Sequence, residues 1–154
     1  MISRLLTLLY QDLYVIIAAA MPIVELRGAI PIGLAMGLSA RHAFVVSYLG
    51  STLPMIPIVV LLRPATELFR RWEPTRKIID WLFERTLRKR GQIDRYGIIG
   101  LFIFVASPLP GTGVWSGSLL AFLLRLPIYR AWLAIALGNL VAGAIIATLS
   151  LQIF

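Results

Sequence analysis

Hydrophobic residues fall in four long blocks along this chain, and two of the blocks are broken at their centres by proline, glycine and charge. Residues 43–62 and 131–151 are continuous, each near the roughly 20 residues a helix needs to cross the hydrocarbon core of a bilayer. Residues 13–38 and 98–124 are equally apolar but interrupted. The first break reads Pro22-Ile23-Val24-Glu25-Leu26-Arg27-Gly28-Ala29-Ile30-Pro31, the second Pro108-Leu109-Pro110-Gly111-Thr112-Gly113. Lipid offers no partner to backbone groups set free by Pro and Gly, so such breaks persist only against protein or water. Ser39-Ala40-Arg41-His42 and Arg125-Leu126-Pro127-Ile128-Tyr129-Arg130 join each broken block to the continuous one that follows.

The halves resemble each other. Residues 16–61 laid over 104–149 without gaps, a constant offset of 88, match at Ala18/Ala106, Pro22/Pro110, Leu38/Leu126, Ala43/Ala131, Leu49/Leu137, Gly50/Gly138, Ile58/Ile146 and Leu61/Leu149. The Pro and Gly pairs carry most weight, because those residues mark backbone geometry. Two topologies fit. Four full transmembrane helices would leave Arg41, Arg125 and Arg130 all outside. Re-entrant hairpins move Arg125 and Arg130 inside, which the positive-inside rule favours, and make the halves antiparallel. The expected fold is therefore an all-α integral membrane protein, an inverted repeat of re-entrant helical hairpin plus transmembrane helix. It forms a single membrane domain over residues 1–154, with halves at 13–62 and 97–151 and a basic cytoplasmic amphipathic linker at 63–96.

Ten of the fifteen Lys and Arg residues lie in residues 63–95, so the net charge of +8 reads as a cytoplasmic loop and not as a nucleic-acid surface. In that loop Pro64 should stop one helix, Pro74 open another and Gly91 end it. Ile78, Ile79, Leu82, Phe83 and Leu87 form its apolar face, opposite Arg76, Lys77, Asp80, Glu84, Arg88 and Lys89. Trp72 and Trp81 would anchor it at the interface. Residues 1–12 read as a short interfacial helix with Leu5, Leu6, Leu8 and Leu9 toward lipid. Ala18-Ala19-Ala20 looks like a signal cleavage site, but Arg4 alone makes a poor n-region and the apolar run continues beyond it. With 59% hydrophobic and 14% charged residues, no soluble domain fits beside the spans. There is no Cys, hence no disulfide framework and no thiolate metal site, and His42 has no second ligand nearby.

Glu25 is the one acid within an apolar stretch. Poised between desolvation and the charge of Arg27, it can take up and release a proton. Arg27 is a permanently charged fork suited to phosphate or carboxylate. Amides at Gly28 and Ala29, and at Gly111, Thr112 and Gly113 on the other tip, would complete an anion site from two half-helix N-termini, with Thr112 as N-cap. Glu25 and Arg27, two apart, would not share a face of a helix, so their pairing needs a non-helical tip or partners from the other half. A structural ion pair is the plainer alternative. Ser107, Ser116 and Ser118 add hydroxyls, though they and Gly117 equally suit close helix packing. Trp115 stacks on a ligand or simply packs. Asn139 is explained by an interhelical hydrogen bond. No phosphate loop, dinucleotide fingerprint or Ser/His/Asp set is present, so enzyme chemistry, cofactors and ATP-driven transport find no material here.

The run Glu25-Leu26-Arg27-Gly28-Ala29-Ile30-Pro31 with Pro108-Leu109-Pro110-Gly111-Thr112-Gly113 and Gly117 resembles the putative small multidrug export protein family. That family is similar in turn to the DedA, or VTT-domain, superfamily. The resemblance implies two opposed re-entrant hairpins in a multi-pass protein of a bacterial or archaeal inner membrane. It implies a proton-linked secondary transporter or a lipid translocase (flippase) of polyprenyl-phosphate or phospholipid type. Where DedA members place arginines on both sides of the second Pro-Gly, this chain has Ser107 and Gly113, leaving Arg27 as the basic residue at a tip. The expected substrate- or ion-binding set is Glu25, Arg27, Gly28, Pro31, Pro108, Pro110, Gly111, Thr112, Gly113 and Trp115, with no metal. The expected partners are membrane lipid, an anionic lipid or small amphiphilic substrate, protons and a second copy of the chain; Gly33/Gly37 and Gly113/Gly117, which suit helix packing or dimerisation, belong to the structural alternative. Drug export by proton antiport and a non-transporting structural protein are the alternatives.

Overall fold

The computed structural model describes the backbone of residues 2–69, 71–88 and 90–153; side chains are described for 4–58, 60–62, 64, 68, 71–78, 80–81, 84 and 97–153. The described residues form eight helices and no strand: α1 (Ile2–Ala20), α2 (Glu25–Ala35), α3 (Ala40–Thr52), α4 (Met55–Phe69), α5 (Glu73–Arg88), α6 (Arg90–Ala106), α7 (Val114–Leu123) and α8 (Ile128–Ser150). Two stretches, Ala40–Leu62 and Ile128–Ser150, are long and apolar enough to cross a membrane.

The sequence breaks become chain reversals. α1 ends at Ala20, residues 21–24 turn, and α2 returns along α1 until Met36 accepts a 2.7 Å hydrogen bond from Gln11 Nε2. One turn into α3, His42 Nε2 meets Asp12 Oδ1 at 2.6 Å. The end of α2 therefore lies level with residues 11 and 12 of α1. α2 thus retraces about the second half of α1.

The end of α2 recurs at the end of α7. Gly37 has φ +88° and Arg125 φ +53°, the left-handed residue that closes a helix C-terminus. Gly37 N–H donates to Leu34 O and Leu38 N–H to Gly33 O; Arg125 N–H donates to Phe122 O and Leu126 N–H to Ala121 O. Each pair is 88 residues apart. The first helices of the two halves are displaced from that offset. Gly50 backs onto Ile16 and Ala19 of α1, Gly138 onto Phe102 and Val105 of α6, an offset two residues short of 88. The gapless alignment is corrected accordingly: at the shift of α1 against α6, Pro22 falls on Pro108, not Pro110, and the second tip is two residues longer than the first.

α3 and α4 run against α8 in the opposite direction. Phe44 lies beside Gly143, Asn139 Nδ2 donates to Ser51 Oγ at 2.8 Å, and Met55 shares an apolar groove of about 460 Å³ with Trp132. Tyr48 OH donates to Ala136 O at 3.2 Å. Tyr48 and Ala136, like Ser51 and Asn139, are corresponding positions in direct contact. Buried Val15, Ala19, Ala29 and Ala43 pack the first half, and Leu101, Val105, Val114 and Ile135 the second.

Several local expectations are corrected. Residues 2–20 form one helix, so no separate interfacial helix ends at residue 12. The span expected at 43–62 falls within the apolar stretch Ala40–Leu62, with the helical hydrogen bonding broken at Leu53 and Pro54 because Pro54 has no N–H to continue α3. Pro64 lies inside α4, which continues to Phe69, and Gly91 lies inside α6 and does not end α5. Pro74 does fall in the first turn of α5, and Trp72 and Trp81 are exposed. The side chains of Ile79, Leu82, Phe83, Leu87, Arg88 and Lys89 lie outside the described residues.

Candidate functional site

The two tips meet, and the contact is made by the charged pair of the first. Glu25 opens α2 with φ +48°, a left-handed conformation uncommon for a residue with a long side chain. That twist removes the helical separation of positions two apart. Arg27 Nη1 reaches Glu25 Oε2 at 3.2 Å, with the side chains 10% and 6% exposed.

Each charge also reaches the opposite half. Glu25 Oε1 accepts from the backbone N–H of Trp115 at 3.1 Å, in the first turn of α7. The N-cap of α7 is Gly113, which has no side chain to do this. A Cβ at Gly113 would coincide with the Glu25 carboxylate. Glu25 thus caps α7 from the other half, placing negative charge at the positive end of its dipole. Arg27 does the converse at the end of α6. Its Nη2 donates to Val105 O at 3.1 Å, Ser107 O at 2.6 Å and Thr112 Oγ1 at 3.0 Å. The last carbonyls of a helix lack intrahelical partners, and a cation there is favourable.

Trp115 corresponds to Arg27 at the offset of 88, and it performs the same task in the reverse direction. Its indole Nε1 donates at 3.0 Å to the carbonyl of Ala20, the last residue of α1. Each half therefore caps the first helix of the other, one with a guanidinium and one with an indole.

Glu25, Arg27, Thr112, Gly113 and Trp115 are brought together; the rest of the expected set has other work. Gly28 N–H already donates to Val24 O at 2.9 Å and is not free for a ligand. Pro31 sits inside α2, where it has no N–H for the carbonyl of Arg27. Pro108, Pro110 and Gly111 are exposed and shape the second turn, Gly111 at φ +83°. Thr112 is not the N-cap: its hydroxyl bonds to Ser107 O at 2.9 Å and Leu109 O at 2.8 Å. Trp115, expected to stack on a ligand or simply pack, is tied to α1 by its indole hydrogen bond. Ser116 Oγ donates to Gly113 O at 3.2 Å, and Gly117 lets α7 lie against Val105. The backbone acceptors of Ala20, Val105 and Ser107 went unread in the sequence, since any residue type supplies a carbonyl.

A family model described as "Putative small multi-drug export protein" matches residues 25–145, most of the chain. The chain belongs to this family. The match takes in Glu25–Pro31 of the first break and the whole of the second. With the apolar helices, family membership makes this a membrane protein, and the family's description is one of export, a transport role. No curated protein and no solved structure matches the chain.

Proposed function

We propose that the chain is a multi-pass transporter of the cell membrane with a proton-linked site where its two tips meet. In this reading α1–α2 and α6–α7 are re-entrant hairpins, and each half is the other inverted. Support comes from the return of α2 to the level of Gln11, the matched helix ends at Gly37 and Arg125, and the opposed run of α3–α4 against α8. Inverted halves with interrupted helices meeting at mid-depth are the usual frame of a secondary transporter site.

The observation that carries the proposal is the buried Glu25–Arg27 pair, clasped between the end of α6 and the start of α7. Charges inside a membrane protein are costly, and well-packed apolar residues often serve stability as well as a buried pair does. Export of a hydrophobic cation on Glu25 would make Arg27 dispensable. Its bonds to both tips speak against that.

The test is flux in liposomes under an imposed proton gradient, with a fluorescent phosphatidic acid and a hydrophobic dye cation as probes. Wild type should move one of them in a gradient-dependent way, and Glu25→Gln and Arg27→Ala should each remove the dependence. Wild-type flux in both variants would remove the site. Topology is tested by labelling Arg41→Cys and Arg125→Cys in intact cells. Opposite sides fit re-entrant hairpins; the same side fits four full spans.

A further inference from the structure

We infer that the groove between α6 and α8 is a resident phospholipid site, selective for an acidic headgroup that Arg130 holds. It lies at the start of α8, apart from the two tips, and does not depend on what they transport. The groove has a volume of about 250 Å³. Ile98, Ile99 and Phe102 line it from α6, and Arg130, Leu133 and Leu137 from α8; apart from Arg130 the lining is apolar.

The first half shows what this groove lacks. α1 packs on α3 as α6 packs on α8: Gly50 backs onto Ile16 and Ala19, Gly138 onto Phe102 and Val105. At that shift Ile98 stands in the place of Asp12, and Arg130, at the offset of 88, stands in the place of His42. In the first half the pair is closed, with His42 Nε2 lying 2.6 Å from Asp12 Oδ1. In the second half the cation remains, but an isoleucine replaces the carboxylate. Arg130 is exposed and has no hydrogen-bond or ion-pair partner among the described residues. Residues 95–154 contain no Asp or Glu, so neither α7 nor α8 can supply one.

The occupant must bring negative charge to Arg130 and cover the apolar floor beneath it. A phospholipid of the adjoining leaflet does both. Its phosphate meets the guanidinium, and an acyl chain follows Leu133 and Leu137. An acidic headgroup is favoured because a zwitterionic one brings its own cation against Arg130. A free anion would leave the apolar lining uncovered. A packed helix is too wide: the groove follows α8 for about 10 Å, and a helix roughly 10–12 Å across would need several times the volume. An extended alkyl chain fits.

The full chain is extracted from vesicles of equal phosphatidylglycerol and phosphatidylcholine, and native mass spectrometry identifies the last lipid to leave it. Wild type should keep phosphatidylglycerol about fivefold over phosphatidylcholine, the roughly 1 kcal/mol that one arginine contributes beside anionic lipid. Arg130→Gln should keep the two equally, while Arg130→Lys retains most of the preference. Ile98→Asp restores the first half's carboxylate opposite Arg130 and should abolish the preference; Ile98→Asn, polar without charge, should not. Ile99→Trp, filling the groove from its exposed wall, should lose the lipid with Arg130 intact. Arg41→Gln, at the exposed start of α3, should change nothing. Equal retention in wild type, or a preference that survives Arg130→Gln or Ile98→Asp, overturns the inference. So does a preference that appears only in Asp94→Asn, because Asp94, one turn before Ile98 and outside the described side chains, would then already hold Arg130. A lipid-free dimer broken by Ile99→Trp would give the groove to a second copy and overturn it as well.

Discussion

The two tips occupy corresponding places in the two halves, yet one carries Glu25 and Arg27 where the other carries Gly113 and Trp115. Both reach across to finish the other half's first helix, Arg27 at α6 and Trp115 at α1. The capping task is shared; the charge is not. A second carboxylate in place of Gly113 would meet the first, and like charges in close contact are costly in a low-dielectric site. The meeting of the tips therefore holds one acid and one base, and the glycine opposite makes the space for them. The difference teaches that the frame gives position while the departure from symmetry gives chemistry.

Removing the charged side of this comparison should have the largest effect. Arg27→Ala leaves Glu25 buried without its counter-charge and uncaps α6, a loss of about 3–5 kcal/mol readable by unfolding in detergent. Next comes the space opposite. Gly113→Ala pushes a methyl group into the Glu25 carboxylate, costing about 1–3 kcal/mol. In a Glu25→Ala background the same change should cost much less, so a double-mutant cycle reports the contact directly. Trp115→Phe keeps the ring and deletes the donor to Ala20, for about 1 kcal/mol, well below Arg27→Ala. The smallest effect is expected away from both tips. Gly37→Ala places a side chain at φ +88° with open space around it, so its cost of about 1 kcal/mol is purely backbone, and proton-linked flux should be unchanged.

The sequence made the breaks at Pro22 and Pro108 legible because proline and glycine act locally, and Glu25 with Arg27 stood out because charge within an apolar run is rare. Its offset of 88 was right for α2, α3, α7 and α8. The two extra residues of the second tip escaped it, because an insertion inside a loop changes no hydrophobic period. Thr112 was a reasonable N-cap by residue type. Its displacement by Glu25 is a long-range fact that no local rule contains. Residue type alone marks Pro64 and Gly91 as breakers, which is a weak guide to where a helix ends; Pro54, which does break one, carried no such reading. Arg27 as a helix cap was unreadable for a further reason, since its acceptors are backbone carbonyls.

The central claim, that the first tip inserts its acid against the start of α7, is tested most directly by disulfide trapping in this cysteine-free chain. Glu25→Cys with Gly113→Cys, oxidised mildly in native membranes, should cross-link in high yield, because the 113 position opens onto the Glu25 side chain. A control pair, Gly37→Cys with Gly113→Cys, should not, since Gly37 lies past the far end of α2. No cross-link from the first pair in folded protein, or equal yields from both, would contradict the account.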